Sequence, residues 1–180
     1  MMGSRLRGTA LIAVFTLVPA VLLGQVRDER AVRAAFVYNL TKYVEWPDSE
    51  GDMTIAYIGE PDGGATLKQM LDGKNSGSRA IRVLLSPSDI DLERCQILYV
   101  AEPSTKKVHA LLERVHGKGI LTVGDTDVFV REGGMIGLVM VGEQIQIQVH
   151  LEAAQEAQLK ISSRLLNIAR LVRLGAEVKK

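Results

Sequence analysis

Between residues 119 and 172, apolar and polar positions follow patterns that predict three strands. Ile120–Val123 and Met135–Val141 are short apolar runs, which are typical of buried strands. From residue 144 to residue 151, glutamine and histidine alternate with isoleucine, valine and leucine, which predicts a half-buried strand with one wet face. Gly142-Glu143 has the length of a tight hairpin turn, so the last two strands are predicted to be antiparallel.

Two amphipathic patterns predict helices at the two ends of the domain. The first begins at Asp28, whose carboxylate can cap a helix, and must stop by Trp46-Pro47. The second is a closing helix that would cover one side of the sheet with its apolar face. Its expected buried residues are Leu165, Leu166, Ile168, Ala169 and Val172.

The intervening segment alternates strand patterns with helix patterns. It predicts strands at Thr54–Ile58, Ile81–Leu85 and Ile97–Ala101, and helices at Ala65–Leu71 and at Ser104–His116 with Ser104 as the cap. Asp72–Arg79 and Ser86–Glu93 are predicted to be polar loops. Because helical crossovers separate most strands, the first four strands should be parallel. The predicted fold is α/β, a single three-layer domain with a mixed, mostly parallel sheet of about six strands, flanked by helices, and a C-terminal antiparallel strand pair.

The first 25 residues are predicted to be an export signal rather than part of the fold. Two arginines precede an apolar run from Gly8 to Gly24, and Gly24-Gln25 is a candidate cleavage point. The run is close to the lower length limit for a membrane span and contains Pro19, which favours a cleaved signal over a single-span anchor. We therefore expect a signal peptide at 1–25 and an exported domain at 26–180.

Composition and cysteine usage narrow the function classes. The chain has 22 basic and 21 acidic residues, and two of the arginines would leave with the signal. The exported domain would be nearly neutral, which argues against nucleic acid as a partner. Cys95 is the only cysteine, so no internal disulfide can form. A buried thiol is favoured over a reactive thiol, and a bridge between chains stays open.

No catalytic or metal-binding motif matches the sequence. The glycine-rich phosphate loop, the dinucleotide fingerprint, the nucleophile elbow and the H-E-x-x-H helix are all missing. His109, His116 and His150 are dispersed, and the first two are seven residues apart, too far for a simple pair of metal ligands. The sequence therefore predicts neither an enzyme nor a bound cofactor or metal.

Polar residues at the predicted strand ends are candidates for a ligand-binding rim, because ligands of open α/β sheets bind beyond the carboxyl ends of the strands. Turns and caps need the same residue types, so a structural role is favoured for each of them. The candidates are Gly59, Glu60, Glu102, Ser104, Gly124, Asp125, Thr126 and Asp127.

Three segments, Ala31–Pro47, Cys95–Glu102 and Ile120–Val172, together resemble the YfiR family of periplasmic regulators. The resemblance covers essentially the whole exported domain. The matched motif positions are Phe36, Asn39, Tyr43, Trp46, Pro47, Gly124, Asp125, Phe129, Gly133, Gly134, Met135, Ile136, Ser163, Leu165 and Leu166.

Most of these positions are expected to shape the fold. Gly133-Gly134 would permit positive φ and a tight path into the next strand. The chain departs from the family at Ile147–His150, where members typically read Phe-Glu-Ile-Asn, and in having Cys95 alone where many members carry paired cysteines.

The resemblance implies a periplasmic protein that restrains an inner-membrane diguanylate cyclase by contacting its periplasmic sensor domain, and so lowers cyclic-di-GMP. An OmpA-like outer-membrane lipoprotein could sequester it, and a homodimer is a further partner left open. The expected partner face is the wet side of the last strand, at Gln146, Gln148 and His150. Two alternatives remain: a periplasmic small-molecule-binding sensor that uses the rim near Asp125 and Glu102, and a structural accessory protein of an envelope complex.

Overall fold

The computed structural model describes residues 28–47 and 50–173. The expected signal peptide at 1–25 and the last residues of the expected domain at 26–180 lie outside this part of the chain. Within the described residues, no helix has both the length and the apolar character that crossing a membrane requires.

Short helices and strands alternate along the whole described chain. The helices are α1 (Glu29–Tyr43), α2 (Pro61–Leu71), α3 (Asp89–Arg94), α4 (Thr105–Val115), α5 (Asp127–Arg131), α6 (Leu151–Glu156) and α7 (Ser163–Leu166). The strands are β1 (Val44–Glu45), β2 (Met53–Gly59), β3 (Asn75–Ser76), β4 (Arg79–Leu85), β5 (Ile97–Ala101), β6 (Leu121–Gly124), β7 (Ile136–Val141), β8 (Gln144–Val149), β9 (Lys160–Ile161) and β10 (Arg170–Leu171).

The main sheet has the strand order β10-β8-β7-β6-β5-β2-β4-β3 among the described strands. From β4 to β7 all neighbours are parallel, whereas β7 and β8 form an antiparallel hairpin with Leu138 opposite Ile147. The six longer strands and the C-terminal antiparallel pair confirm the fold prediction. Two short strands that the sequence did not predict, β3 and β10, extend the two edges.

Helices cover both faces of the sheet because the central strands are apolar on both sides. In β5, Ile97 and Tyr99 join one buried cluster, which includes residues of α1, α2, α6 and α7. Leu98 and Val100 join a second cluster, which includes residues of α3, α4 and α5. This arrangement confirms the predicted three layers.

The C-terminal segment does not form the expected closing helix. After α6, Gln158 adopts a positive φ of 59°, and the chain then adds strand β9, one helical turn in α7 and strand β10. Strand β9 pairs with β1 in a separate two-stranded sheet, with Ile161 opposite Val44. Leu165 is buried as expected, but Ile168 is 69% exposed, so the continuous apolar face predicted for this helix is wrong.

Of the two predicted helix caps, one is confirmed and the other makes no capping hydrogen bond. Asp28 caps α1 as expected, since its side chain accepts from the amide of Arg30 at 3.1 Å. Ser104 holds the cap position of α4 but makes no capping hydrogen bond. The predicted loop Ser86–Glu93 contains the start of helix α3, where Ser88 and Asp91 form a capping box. A serine followed three residues later by an acid was the available signal for this helix.

Candidate functional site

Asp125 lies between two cavities at the carboxyl end of the parallel strands. Both cavities are lined by Asp125 and by Arg33 of α1. The wide cavity, of about 580 Å³, also includes Gln146, Gln148 and Arg170 among its lining residues. The narrow cavity, of about 200 Å³, adds residues from the other side of the sheet, among them Tyr57, Glu60 and Tyr99. We call this pair of cavities the Asp125 rim.

The end of β6 and the start of α5 position the acidic residues of this rim. Thr126 caps α5, because its hydroxyl oxygen accepts from the amide of Phe129 at 3.2 Å. Asp127 is exposed and pairs with Arg131 one turn later, at 2.8 Å. Thr126 and Asp127 therefore have the structural roles that the sequence favoured. Asp125 is half-buried at the position between the strand and the cap.

Burial and neighbouring charges set the protonation of the rim. Burial raises the pKa of the Asp125 carboxyl, and the Arg33 guanidinium opposes this shift. Burial, and then the charge of Asp125, also raise the pKa of Tyr57 and of Tyr99, so both phenols stay protonated at neutral pH. The two rings meet edge to face with centroids 5.4 Å apart. Tyr57 donates its hydroxyl proton to the carbonyl of Glu60 at 3.0 Å.

Arg33 fixes the position of α1 over this end of the sheet. Its Nε donates to the carbonyl of Leu138 in β7 at 3.4 Å, and its guanidinium pairs with Glu29 on α1. The side chain is only 15% exposed. A largely buried guanidinium, a half-buried carboxylate and two protonated phenols can bind a small polar molecule through hydrogen bonds and charge.

The structure separates the two glutamates of the predicted rim. Glu60 lines the narrow cavity together with Asp125. Glu102 accepts from the amide of Ser104 at 3.1 Å and from the ammonium of Lys107 at 3.2 Å, and these hydrogen bonds lower its pKa. It lines a different, smaller cleft beside Thr126. The rim is therefore centred on Asp125 and does not include Glu102.

Two of the three residues expected on the wet partner face of the last strand are not exposed. Gln148 and His150 are only 9% and 5% exposed, and Gln146 is half-buried. Gln146 and Gln148 face into the wide cavity of the rim, whereas His150 lines another cavity. Alternation along a strand shows which side chains share a face, but it does not show whether later segments cover that face.

The histidines are not dispersed in space. His109, His116 and His150 line one cavity of about 340 Å³. In the part of the chain that the structure describes, no cluster of histidine, cysteine or acidic side chains has an arrangement that could hold a metal ion.

Cys95 is buried, as the sequence favoured, with only 3% of its surface exposed. Burial raises the pKa of its thiol to about 12. A protonated, inaccessible thiol is a poor nucleophile, which argues against a bridge between chains.

Most of the motif positions build the fold around the rim. The Phe129 ring packs against Gly124 and Gly134, where added Cβ atoms would come within 2.2 and 2.1 Å of ring atoms. Gly133 has the expected positive φ, at 103°, but Gly134 does not. Trp46 donates its indole N–H to the carbonyl of Gln96 at 3.0 Å. Of the remaining positions, Met135, Ile136 and Leu165 are buried, Phe36, Tyr43 and Leu166 are half-buried, and Asn39, Pro47 and Ser163 are exposed.

A group of exposed apolar side chains lies at the β10 edge of the sheet, and sequence reasoning missed it. Ile168 and Leu171 are 69% and 54% exposed, and Val141 in the neighbouring hairpin is 56% exposed. Val141 and Arg170 both line the wide cavity. We call Ile168, Arg170 and Leu171 the β10 edge surface. The prediction was wrong here because Ile168 is three residues after Leu165, a spacing typical of one helix face. A short helical turn followed by a strand has the same spacing.

A family model described as YfiR/HmsC-like matches residues 30–170 of the chain. Among curated proteins, none matches the sequence at a significant level.

Two solved structures resemble this chain at 10% sequence identity. A conserved domain protein from Vibrio cholerae O1 biovar El Tor has a TM-score of 0.54, and the match covers 79% of this chain and 60% of that one. The ABC domain in complex with L-Trp from Streptococcus pneumonia has a TM-score of 0.47, with 67% of this chain and 55% of that one covered. The chain thus spans less than two thirds of either neighbour, and the Vibrio match shows a shared fold alone.

Proposed function

The chain belongs to the YfiR/HmsC-like family, and from this premise we propose that it is a periplasmic regulatory protein that restrains an inner-membrane diguanylate cyclase. It binds the periplasmic sensor domain of the cyclase and so lowers cyclic-di-GMP. Such a regulator works by differential affinity, because a protein that binds the active and the inactive sensor equally well shifts nothing.

The observation that supports this proposal is the exposed β10 edge surface. Strand β10 is the edge of the described sheet, and Ile168 and Leu171 are each more than half exposed there. Exposed apolar groups beside a charged residue such as Arg170 are typical of protein interaction surfaces, and a free strand edge can accept a strand from a partner. We assign the sensor contact to this surface in place of the buried Gln148 and His150.

The test is the affinity of the purified protein for the isolated periplasmic sensor domain of the cyclase. We expect Leu171→Asp and Ile168→Asp to weaken binding at least about tenfold, the size of an interface hot spot. Ile90→Asp is the matched control, because Ile90 is 63% exposed and lies on α3, away from the β10 edge. Unchanged affinity in both edge variants, or an equal loss in the control, would refute the assignment.

Cellular location and further partners belong to the same proposal. Cleavage after the predicted signal at 1–25 would place the protein in the periplasm, where an OmpA-like lipoprotein could sequester it and where a homodimer could form. Mass spectrometry of the protein recovered from a periplasmic extract reports the cleavage directly. A cytoplasmic, uncleaved chain would contradict the proposal.

The Asp125 rim favours a second candidate, a periplasmic sensor of small polar molecules. Its support is the placement of Arg33 and Asp125 between two cavities that together reach both sides of the sheet. A compound that raises the melting temperature of the native protein but not that of Asp125→Ala would favour this function. Loss of sensor-domain binding in Leu171→Asp with unchanged ligand stabilisation would show that the two surfaces act separately.

A further inference from the structure

The wide cavity of the Asp125 rim lies beside a row of residues that stand opposite one another across four strands. Arg170 in β10 pairs with Gln148 in β8. Gln148 pairs with Gly137 in β7, which in turn pairs with Gly124 in β6. Paired residues of adjacent strands share one face of the sheet. Helix α5 packs on the two glycines, where an added Cβ would overlap its side chains, whereas Gln148 and Arg170 line the cavity.

Gln148 brings an unpartnered polar group into this cavity. The residue is only 9% exposed, and its carboxamide makes no hydrogen bond to any described residue. The group is nevertheless open to the cavity. Among the buried and half-buried residues that the structure describes, only Nδ1 of His150 is both unpartnered and nearly without accessible surface. A carboxamide both donates and accepts, so a ligand hydroxyl, which does the same, would stabilise it.

The charged groups at the two ends of the cavity have opposite signs. At one end, Arg170 has no ion-pair partner among the described residues, whereas the guanidinium groups of Arg33 and Arg131 are already paired with carboxylates. At the other end, the Asp125 carboxyl follows β6. Three strand spacings, about 14 Å, separate the backbones at the two ends. A ligand that fits both ends carries a carboxylate for Arg170 and hydroxyl groups for Asp125.

We propose that the wide cavity binds a sugar acid, that is, a monosaccharide with a carboxylate group. This ligand class rests on the second candidate function, the periplasmic sensor of small polar molecules. The carboxylate pairs with Arg170, and the hydroxyl groups exchange hydrogen bonds with Gln146, Gln148 and Asp125. The C–H face of the sugar ring packs against Val139, which also lines the cavity. The volume of about 580 Å³ lies within the range of small-molecule sites.

The test is isothermal titration of the purified protein at neutral pH with D-glucuronate and with D-galacturonate. D-Glucose, which lacks the carboxylate, and cyclohexanecarboxylate, which lacks the hydroxyl groups, are the comparison ligands. We expect at least one uronate to bind, and both comparison ligands to bind at least about threefold more weakly. If neither uronate binds at millimolar concentration, or if a comparison ligand binds as well as the uronates, the proposal is overturned.

Variants locate the site. Gln148→Leu removes the carboxamide and should weaken uronate binding about three- to tenfold, whereas Gln155→Leu on α6 should bind like the native protein. Arg170→Gln should weaken uronate binding about two- to fivefold, because Arg170 is exposed, and should leave glucose binding unchanged. Arg164→Gln on α7 is its matched control. If circular dichroism shows that Gln148→Leu does not fold, Arg170→Gln decides: uronate affinity equal to that of Arg164→Gln would refute the site.

Failure of this ligand class and failure of the sensor function give different results. A different polar compound that raises the melting temperature of the native protein but not that of Asp125→Ala, without binding of either uronate, would refute the sugar acid and retain the sensor. If neither the uronates nor any other polar compound stabilises the native protein, both fail.

Discussion

Gly133 and Gly134 are adjacent, and the structure predicts that alanine at each destabilises the protein for a different reason. At Gly134 an added Cβ would lie 2.1 Å from Cε1 of Phe129, where ordinary contacts begin at 3.4 Å, and the backbone has no positive φ. At Gly133 the Cβ would meet nothing within 4 Å, but φ is 103°, which side-chain-bearing residues rarely adopt. The first cost is steric, and the second is backbone strain.

The two costs are similar in size. The Phe129 ring is 1% exposed and also packs against Gly124, so it has little room to withdraw from a new Cβ. Overpacking of this kind costs typically 1–3 kcal/mol, and an overlap this large places Gly134→Ala near about 3 kcal/mol. Strain at Gly133→Ala costs about 1–3 kcal/mol. The single variants therefore do not separate the two mechanisms.

A double-mutant cycle with Phe129→Ala separates them. Removing the ring frees the space that the Gly134→Ala methyl needs, so in that background Gly134→Ala should cost at least about 1 kcal/mol less than in the native protein. Gly133→Ala should cost the same in both backgrounds. The free energy of unfolding comes from urea titration followed by far-ultraviolet circular dichroism. If Gly134→Ala is equally costly without the ring, the packing argument fails.

Three further predictions concern single residues. Trp46→Phe should lower the free energy of unfolding, measured in urea, by about 0.5–1.5 kcal/mol. The variant loses the 3.0 Å hydrogen bond to the Gln96 carbonyl, but that carbonyl still accepts from the amide of Leu121. A loss above about 3 kcal/mol would mean that ring packing dominates. Cys95, buried and with its pKa raised to about 12, should resist iodoacetamide in the native protein and react once unfolded in urea; native labelling at the unfolded rate would contradict its burial. Asp125→Asn should melt at a higher temperature than the native protein at neutral pH, with the gap shrinking as pH falls through the raised folded-state pKa of Asp125 and closing below the usual carboxyl pKa of 3.8. The sign follows because burial raises the folded-state pKa, so the charged form is penalised above the unfolded-state pKa; an unchanged gap across the titration would refute this.

The central strands could be predicted from sequence because each is a short apolar run buried on both faces. Ile97–Val100 shows this, with all four side chains nearly inaccessible. Such runs between polar turns have few other stable arrangements. The C-terminal segment could not be predicted in this way. Strand β9 depends on pairing with β1, which is distant in sequence, and β10 depends on pairing with β8. Helical spacing at Leu165 and Ile168 fits several local structures.

The candidate site could be predicted only in part, for the same physical reason. The end of β6 identified Asp125, because parallel topology places strand ends together. The sequence did not indicate that Arg33 of α1 would lie beside it, since that contact depends on how α1 crosses the sheet. Nor did it indicate that His150 would be buried beside His109 and His116, because the tertiary arrangement of the sheet and its helices brings α4 and α6 together.

The paired short strands at the C-terminus bear on the order in which the chain can fold. The segment that follows α6 pairs with β1, directly after the first helix, and then with β8, so it connects the beginning of the domain to its last long strand. The pairing of β9 with β1 requires closure of a long loop, which is slow and gives no stabilisation until it is complete. We therefore expect a chain that lacks residues 158–173 to collapse around the parallel strands without fixing the end of α1. Synthesis of residues 158–173, rather than of the strands of the central sheet, then determines when the chain can first reach the native state.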